Sequence, residues 1–191
     1  TIATIILIHS SYGVASNKQK MLKKGLNIID DFLPLGLAEE LLKEFKDKKS
    51  CDFTNRNHWD QDIIEDSKIV LINEIKDGLR DSLLSRVNKE FNNNLNWSTL
   101  FYRWTTGSYI PPHLDYDINY ACTIHLNKNY HPKYGGMFLF KEERDDHHWI
   151  GIEPIFNRAV IADTKDESDI WHQVTPVVSK FDRISIQMFF T

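Results

Sequence analysis

The segment SYIPPHLD, residues 108–115, carries the pattern on which both the fold and the candidate site depend. It is one of a series of short stretches, rich in aromatic and β-branched residues and separated by turn formers, that is typical of β-strands. We predict strands near residues 97–105, 108–115, 119–126, 136–141, 149–153, 158–162, 171–178 and 183–190. About eight short strands indicate a sandwich, a barrel or a jelly roll.

Two amphipathic helices are predicted before these strands. In the first, Leu35, Ala38, Leu42 and Phe45 recur at helical spacing. The second is predicted as a long helix from an N-cap at Ser67. Its apolar stripe consists of Ile72, Ile75, Leu79, Leu83, Val87 and Phe91.

The chain of 191 residues is long enough for one sizeable core. We therefore expect a single domain, residues 1–191, with helical support over about 30–95 and a strand core over about 97–190. The helices are expected to act as scaffold packed on a sheet. The apolar run TIATIILI, residues 1–8, is shorter than the roughly 20 residues that span a bilayer, and we predict a strand there.

Composition excludes several classes of function. The net charge is −4 with a pI near 6.0, and the sequence has no lysine or arginine run, so no nucleic-acid partner is expected. Hydrophobic residues make up 41% and charged residues 26%, which favours a cytoplasmic or otherwise soluble protein without a membrane partner. Cys51 and Cys122 are predicted to be free thiols. The oligomeric state is left open.

The segment at residues 108–115 contains two candidate metal ligands. On a strand, residues two apart project from one face, so His113 and Asp115 would direct an imidazole and a carboxylate to the same point. A His-x-Asp pattern alone is weak support, because His58 and Asp60 show it as well.

The residues on the C-terminal side of each His-x-Asp pattern distinguish the two. After His113 and Asp115 the chain supplies His172, then Arg183 eleven residues later and Ser185 two beyond that. If His58 and Asp60 were the ligands and His113 the second histidine, the basic residue would fall at residues 122–124, which are Cys, Thr and Ile. The sequence therefore favours His113, Asp115 and His172 as a metal triad.

Two histidines and a carboxylate leave about three positions open on an octahedral metal, an arrangement that suits non-heme Fe(II) and oxygen chemistry. An arginine directed into a strand core is costly unless it meets an anion. The fork of Arg183 matches a carboxylate, and the Ser185 hydroxyl offers a further donor. The pattern predicts a metal with an acidic ligand beside it.

These residues make the chain resemble the Fe(II)- and 2-oxoglutarate-dependent dioxygenases, in particular their prolyl 4-hydroxylase-like branch. Three segments carry the likeness: YRWTTGSYIPPHLD at residues 102–115, HLNKNYHPKYGGMFLF at 125–140 and LNIIDDFLPLGLAEELLKEF at 26–45. The resemblance covers roughly residues 26–190. It implies an α+β, mainly β fold: a double-stranded β-helix, or jelly roll, with N-terminal buttressing helices.

The resemblance also implies roles for individual residues. His113, Asp115 and His172 would hold the iron, while Arg183 and Ser185 would bind the distal carboxylate of 2-oxoglutarate. Further cosubstrate contacts are expected from Tyr102, from His125, which stands where several relatives have a tyrosine, and from Thr123 on the same strand face. Gly135 and Gly136 are interpreted as a bend or a close backbone approach.

The implied reaction is hydroxylation of a C–H bond with O2, releasing succinate and CO2, with ascorbate as a candidate reductant. A prolyl residue in a peptide or protein is the expected substrate. Two alternatives stay open: a free amino acid or other small molecule as substrate, and a non-catalytic metal-binding jelly roll. Candidate substrate contacts are Tyr109, Arg103, Trp104, His58 and Trp59.

Overall fold

The structure is a computed structural model, and it describes residues 5–7, 19–23, 25–55, 70–91, 95, 97–115, 118–141, 147–163 and 170–191. The described helices are α1 (Leu35–Asp47) and α2 (Asp77–Phe91). The described strands are β1 (Ile5–Leu7), β2 (Gln19–Lys23), β3 (Leu26–Ile29), β4 (Thr54–Asn55), β5 (Leu71–Glu74), β6 (Ser98–Trp104), β7 (Ile110–His113), β8 (Tyr120–His125), β9 (Phe138–Phe140), β10 (Trp149–Ile152), β11 (Ala159–Asp163), β12 (His172–Val174) and β13 (Arg183–Phe190).

The strands form two sheets. The smaller has the order β1-β10-β9-β12-β7, and the larger has the order β2-β3-β11-β8-β13-β6-β5-β4. Apart from the parallel pair β1 and β10, the described strand pairs are antiparallel. In a jelly roll, strands that are neighbours in a sheet are often distant in the sequence, and both sheets show this. The arrangement therefore confirms the predicted jelly roll with helical support.

The two faces of the large sheet serve different purposes. Its outer face carries residues such as Phe101, Ile124 and Ile186, which form one buried core with the helices. Its inner face carries Tyr102 and Trp104, which form a second core with residues of the small sheet. Since side chains alternate along a strand, every residue on the central strands belongs either to the helix side or to the space between the sheets.

Helix α1 shows why these helices act as scaffold. It begins at Leu35 directly after Pro34, and Ala38, Leu41, Leu42 and Phe45 are buried on one face. The Phe45 ring meets the Phe101 ring of β6 edge to face, with centroids 5.6 Å apart. The helices thus cover the outer face and leave the inner face to form a site, as predicted.

The predicted extent of the second helix was wrong. Residues 71–74 form strand β5, which pairs with β6 by placing Leu71 opposite Arg103 and Ile72 opposite Tyr102. Helix α2 begins only at Asp77. The spacing of Ile72 and Ile75 matched a helix, but Leu71 packs toward the outer core and Ile72 toward the inner core, the alternation of a strand buried on both faces. The proposed cap Ser67 lies outside the described residues.

The N-terminal run is a strand where it is described, since Ile5–Leu7 pairs in parallel with β10. In the described part of the chain, neither helix has the length and apolar character needed to cross a membrane.

Candidate metal centre and buried polar cluster

The two predicted metal-binding histidines lie side by side on the small sheet. His113 is the last residue of β7, His172 is the first residue of β12, and the two are direct cross-strand partners. Their ring centroids are 4.3 Å apart. Asp115 lies two residues after His113, and the possible ligand atoms of all three side chains lie within 4.8 Å of one another. The structure therefore brings His172 together with two residues that lie far before it in the sequence.

The local backbone of Asp115 differs from the prediction. Strand β7 ends at His113, so Asp115 lies in the following coil and does not share a strand face with the histidine. Its carboxylate still turns back to the imidazoles, with Oδ1 3.7 Å from His113 Nε2 and Oδ2 3.5 Å from His172 Nε2. The change of backbone direction in the coil thus places the Asp115 carboxylate beside His113, as the alternation of a strand would have done.

Both imidazoles are held in the same tautomer. His113 Nδ1 donates to the carbonyl of Pro111 and His172 Nδ1 donates to the carbonyl of Ile170, each over 2.8 Å. A proton on Nδ1 leaves the lone pair of Nε2 directed at Asp115, which is the arrangement of metal-binding histidines. Burial, together with the proximity of His172, lowers the pKa of His113 to about 4, so its imidazole is neutral at physiological pH.

The donor set fits a divalent metal ion. The nitrogen to oxygen distances of 3.5 and 3.7 Å are too long for hydrogen bonds and leave space between the three groups. An ion at this position would be held by Nε2 of His113, Nε2 of His172 and a carboxylate oxygen of Asp115. Two nitrogen ligands and one oxygen ligand leave the remaining octahedral positions for other molecules.

Arg183 on β13 is fully buried on the inner face of the large sheet. Its guanidinium lies over the Trp104 ring, 4.7 Å from the centroid. Nη1 donates to Ser185 Oγ over 3.4 Å, whereas Nε and Nη2 have no hydrogen-bond partner among the described residues. Burial lowers the pKa of Arg183 to about 9, which leaves the group charged at neutral pH. A buried cation with unpaired donors is the expected partner of an anionic ligand.

Two further predicted residues lie beside Ser185. In the strand register, Ser185 is opposite Tyr102 on one side and opposite His125 on the other. His125 is fully buried, and neither of its ring nitrogens has a hydrogen-bond partner in the described structure. Burial, reinforced by the charges of Arg183 and Arg158, holds the pKa of His125 well below its usual value, so this imidazole is neutral.

The sequence analysis missed Gln187, the third inner-face residue of β13. Gln187 lies opposite Thr123 of β8, and Thr123 Oγ1 donates to Gln187 Oε1 over 2.8 Å. Gln187 Nε2 in turn donates to Ser185 Oγ over 3.5 Å. The step of two residues from Arg183 to Ser185 to Gln187 was the available signal. We call Arg183, Ser185, Gln187, Thr123, Tyr102 and His125 the polar cluster.

Gly135 and Gly136 lie at a close backbone approach beside the polar cluster, as predicted. Both glycines have a φ of +67°, a conformation that other residues rarely adopt. A Cβ at Gly135 would collide with the carbonyl oxygen of Pro176, and a Cβ at Gly136 would lie 3.0 Å from Cδ of Arg183. Gly136 therefore leaves room for the arginine side chain.

The structure gives less support to the predicted substrate contacts. Arg103 lies on the outer face of the sheet, where it forms an ion pair of 2.7 Å with Asp182. Trp104 is buried beneath Arg183 and is not at the surface. Tyr109 is half-buried immediately before β7. His58 and Trp59 lie outside the described residues, so their roles stay predictions.

The jelly roll and the His, Asp, His donor set define a mononuclear non-heme iron type of enzyme. Residues 99–191 match the sequence model of the 2OG-Fe(II) oxygenase superfamily, which is the part of the chain that contains the triad and the polar cluster. Residues 99–191 therefore belong to this superfamily of 2-oxoglutarate-dependent dioxygenases. No curated protein sequence matches the chain.

Solved structures of prolyl hydroxylases share the fold. A prolyl-4-hydroxylase from Pseudomonas putida superposes with a TM-score of 0.67 at 19% identity, covering 87% of this chain and 91% of that one. A Trichoplax adhaerens prolyl hydroxylase in complex with a hypoxia inducible factor peptide fragment gives a TM-score of 0.70 at 18% identity, covering 87% and 83%. A 2OG-Fe(II) oxygenase family oxidoreductase from Burkholderia pseudomallei gives 0.59 at 15%, covering 88% and 85%. The fold is therefore prolyl hydroxylase-like.

Proposed function

We propose that the protein hydroxylates a C–H bond of a prolyl residue in a peptide or protein, as a single oxygenase domain, with release of succinate and CO2. The observation that carries the proposal is the presence of a metal-type triad and an unpaired buried arginine on the two sheets that enclose the inner core. The prolyl hydroxylase-like fold supports the choice of substrate class, and the peptide bound to the Trichoplax relative supports a peptide over a small molecule.

In this proposal His113, Asp115 and His172 hold Fe(II). Bound Fe(II) and 2-oxoglutarate supply the oxidising chemistry, in which one oxygen atom of O2 enters succinate and the other enters the substrate C–H bond. The protein supplies position and charge. The hydrogen bonds from Nδ1 to the carbonyls of Pro111 and Ile170 hold both imidazoles with Nε2 toward the ion.

The polar cluster would hold the other end of 2-oxoglutarate. Arg183 offers the N–H groups of Nε and Nη2 to the distal carboxylate, and the flat guanidinium is fixed from below by Trp104. The neutral His125 offers one ring N–H from the neighbouring strand. Fixing the carboxylate in this way sets the distance at which the 2-oxo acid end reaches the triad.

The test is incubation of the protein with Fe(II), ascorbate, 2-oxoglutarate and a library of proline-containing peptides. We expect one peptide class to gain a single oxygen atom by mass spectrometry, with one succinate formed for each hydroxylation. Labelled O2 should place one labelled atom in each product. The variant His172→Ala serves as the inactive control. Oxidation of free proline without peptide modification would refute the peptide assignment, and the absence of any succinate would refute an enzymatic function.

A further inference from the structure

Four side chains of the polar cluster form a continuous hydrogen-bonded series, which we call the amide ladder. Thr123 Oγ1 donates to Gln187 Oε1 over 2.8 Å, and Gln187 Nε2 donates to Ser185 Oγ over 3.5 Å. Arg183 Nη1 donates to the same Ser185 oxygen over 3.4 Å. Three members lie at alternate positions of β13, and Thr123 lies opposite Gln187 on β8. The ladder thus links two strands of the large sheet on its inner face.

The number of protons in the ladder determines what Ser185 offers to a ligand. A serine hydroxyl has one proton and two lone pairs, and the two lone pairs of Ser185 accept from Arg183 and Gln187. The proton of Ser185 is therefore available to a ligand. This holds only while the amide nitrogen of Gln187 faces Ser185, because the opposite orientation would place the amide oxygen there as a competing acceptor.

Thr123 satisfies the amide oxygen in the orientation that the structure shows. Its hydroxyl donates to Gln187 Oε1, which would otherwise be a poorly exposed carbonyl without a partner. A residue of the same shape without a hydroxyl would leave this amide oxygen without its donor. The position of the Ser185 proton thus depends on a residue two steps away along the ladder.

The groups next to Ser185 are also donors. Arg183 has two donor nitrogens, Nε and Nη2, without partners among the described residues, and the buried His125 can donate one N–H. A binding site lined by hydrogen-bond donors can satisfy both oxygens of an ionised carboxylate. It satisfies a carboxamide poorly, because the amide N–H2 would face other donors.

We propose that Thr123 and Gln187 are positioning residues that hold Ser185 as a hydrogen-bond donor, and that they thereby make the site selective for a 2-oxo acid with a distal carboxylate over one with a distal carboxamide. This inference rests on the proposed function, since it deepens the binding of 2-oxoglutarate by the polar cluster. It assigns the selectivity to two residues that need not touch the ligand.

The experiment measures binding by isothermal titration calorimetry on the Mn(II)-loaded protein under nitrogen, so that no turnover occurs. The two ligands are 2-oxoglutarate and its C5 carboxamide, 2-oxoglutaramate. Thr123→Val should weaken 2-oxoglutarate binding about tenfold, the cost of one hydrogen bond to a charged group. The carboxamide should weaken less than about threefold, because it can offer either a donor or an acceptor to Ser185.

Two more variants separate the ladder from general damage to the fold. Thr123→Ser keeps the hydroxyl and should restore both affinities. Gln187→Glu keeps the shape, but its ionised carboxylate only accepts hydrogen bonds. It should therefore accept the hydrogen bond of the Ser185 hydroxyl in place of the ligand and weaken 2-oxoglutarate binding on the order of a hundredfold. Thermal unfolding of each ligand-free variant verifies that it is folded.

Three results would refute the role of the ladder. Thr123→Val could bind both ligands within about twofold of the wild-type affinity, its affinities for both ligands could fall equally, or Thr123→Ser could bind as poorly as Thr123→Val. A wild-type protein that binds no 2-oxoglutarate would instead refute the proposed function, and the ladder inference with it.

Discussion

Replacing Arg183 by methionine should make the ligand-free protein more stable while destroying its affinity for 2-oxoglutarate. The guanidinium is fully buried, and two of its donor nitrogens have no partner among the described residues. Two unpaired buried donors cost about 4 kcal/mol together, and the cation–π contact with Trp104 returns about 2 kcal/mol. Methionine fills a similar volume without these donors. The free energy of unfolding should therefore rise by about 2 kcal/mol, which raises the melting temperature by roughly 4–8 °C.

Arg158 provides the matched control, because it is an arginine of similar burial with a full set of partners. Its guanidinium makes bonds of 2.6 and 3.0 Å to the carboxylate of Asp30 and a bond of 3.2 Å to the carbonyl of Glu153. Arg158→Met would leave a carboxylate and a carbonyl without their donor. This variant should lose about 3–5 kcal/mol of stability. The two substitutions should have opposite signs because Arg158 has an anionic partner and hydrogen-bond acceptors, whereas Arg183 has two donor nitrogens without partners among the described residues.

Thermal unfolding in a buffer free of carboxylates, sulfate and phosphate measures both effects. Addition of Mn(II) and 2-oxoglutarate should raise the melting temperature of the wild-type protein, because a ligand of the folded state stabilises it by mass action. When Mn(II) is already present, the addition of 2-oxoglutarate should leave the melting temperature of Arg183→Met unchanged. A ligand-free Arg183→Met protein that melts below the wild type, or that is still stabilised by 2-oxoglutarate, would show that Arg183 is a structural residue and not a ligand-binding one.

Three further predictions address the metal centre, the buried imidazole and the scaffold. His172→Ala should abolish both 2-oxoglutarate turnover and Mn(II) binding measured by calorimetry, whereas alanine at the exposed His131 should alter neither. Because the pKa of His125 is held below its usual value, the unfolded state takes up the proton as pH falls below about 6.5, so the wild-type protein should lose up to about 1.4 kcal/mol per pH unit there. The loss should be smaller in His125→Phe by chemical denaturation, and equal losses would contradict a neutral buried imidazole. Phe101→Ala, on the helix side of the sheet, should cost about 3–5 kcal/mol but leave the 2-oxoglutarate affinity of the folded protein unchanged.

The parts of the fold that were predicted correctly are those with a clear compositional or periodic pattern. The strands from residue 97 onward are rich in aromatic and β-branched residues and are separated by turn formers, and α1 has a helical stripe on one face. Strand β5 was missed because Leu71 and Ile72 are partly buried on opposite faces, and such a short apolar run fits a helix equally well. The coil at Asp115 could not be predicted either, since the return of that carboxylate depends on the backbone after β7.

The sequence of β13, RISIQMFF, shows why a strand that carries a buried site can look like a strand exposed to solvent. Its alternation of polar and apolar residues would ordinarily indicate a strand with one face in water. In the structure the apolar residues Ile184, Ile186 and Met188 face the helices, and the polar ones face the space between the sheets. Arg183 and Ser185 are fully buried all the same. Alternation therefore identifies the two faces of a strand but not the medium that each contacts. The buried Arg183 donors without partners among the described residues are what make the polar face a candidate anion site.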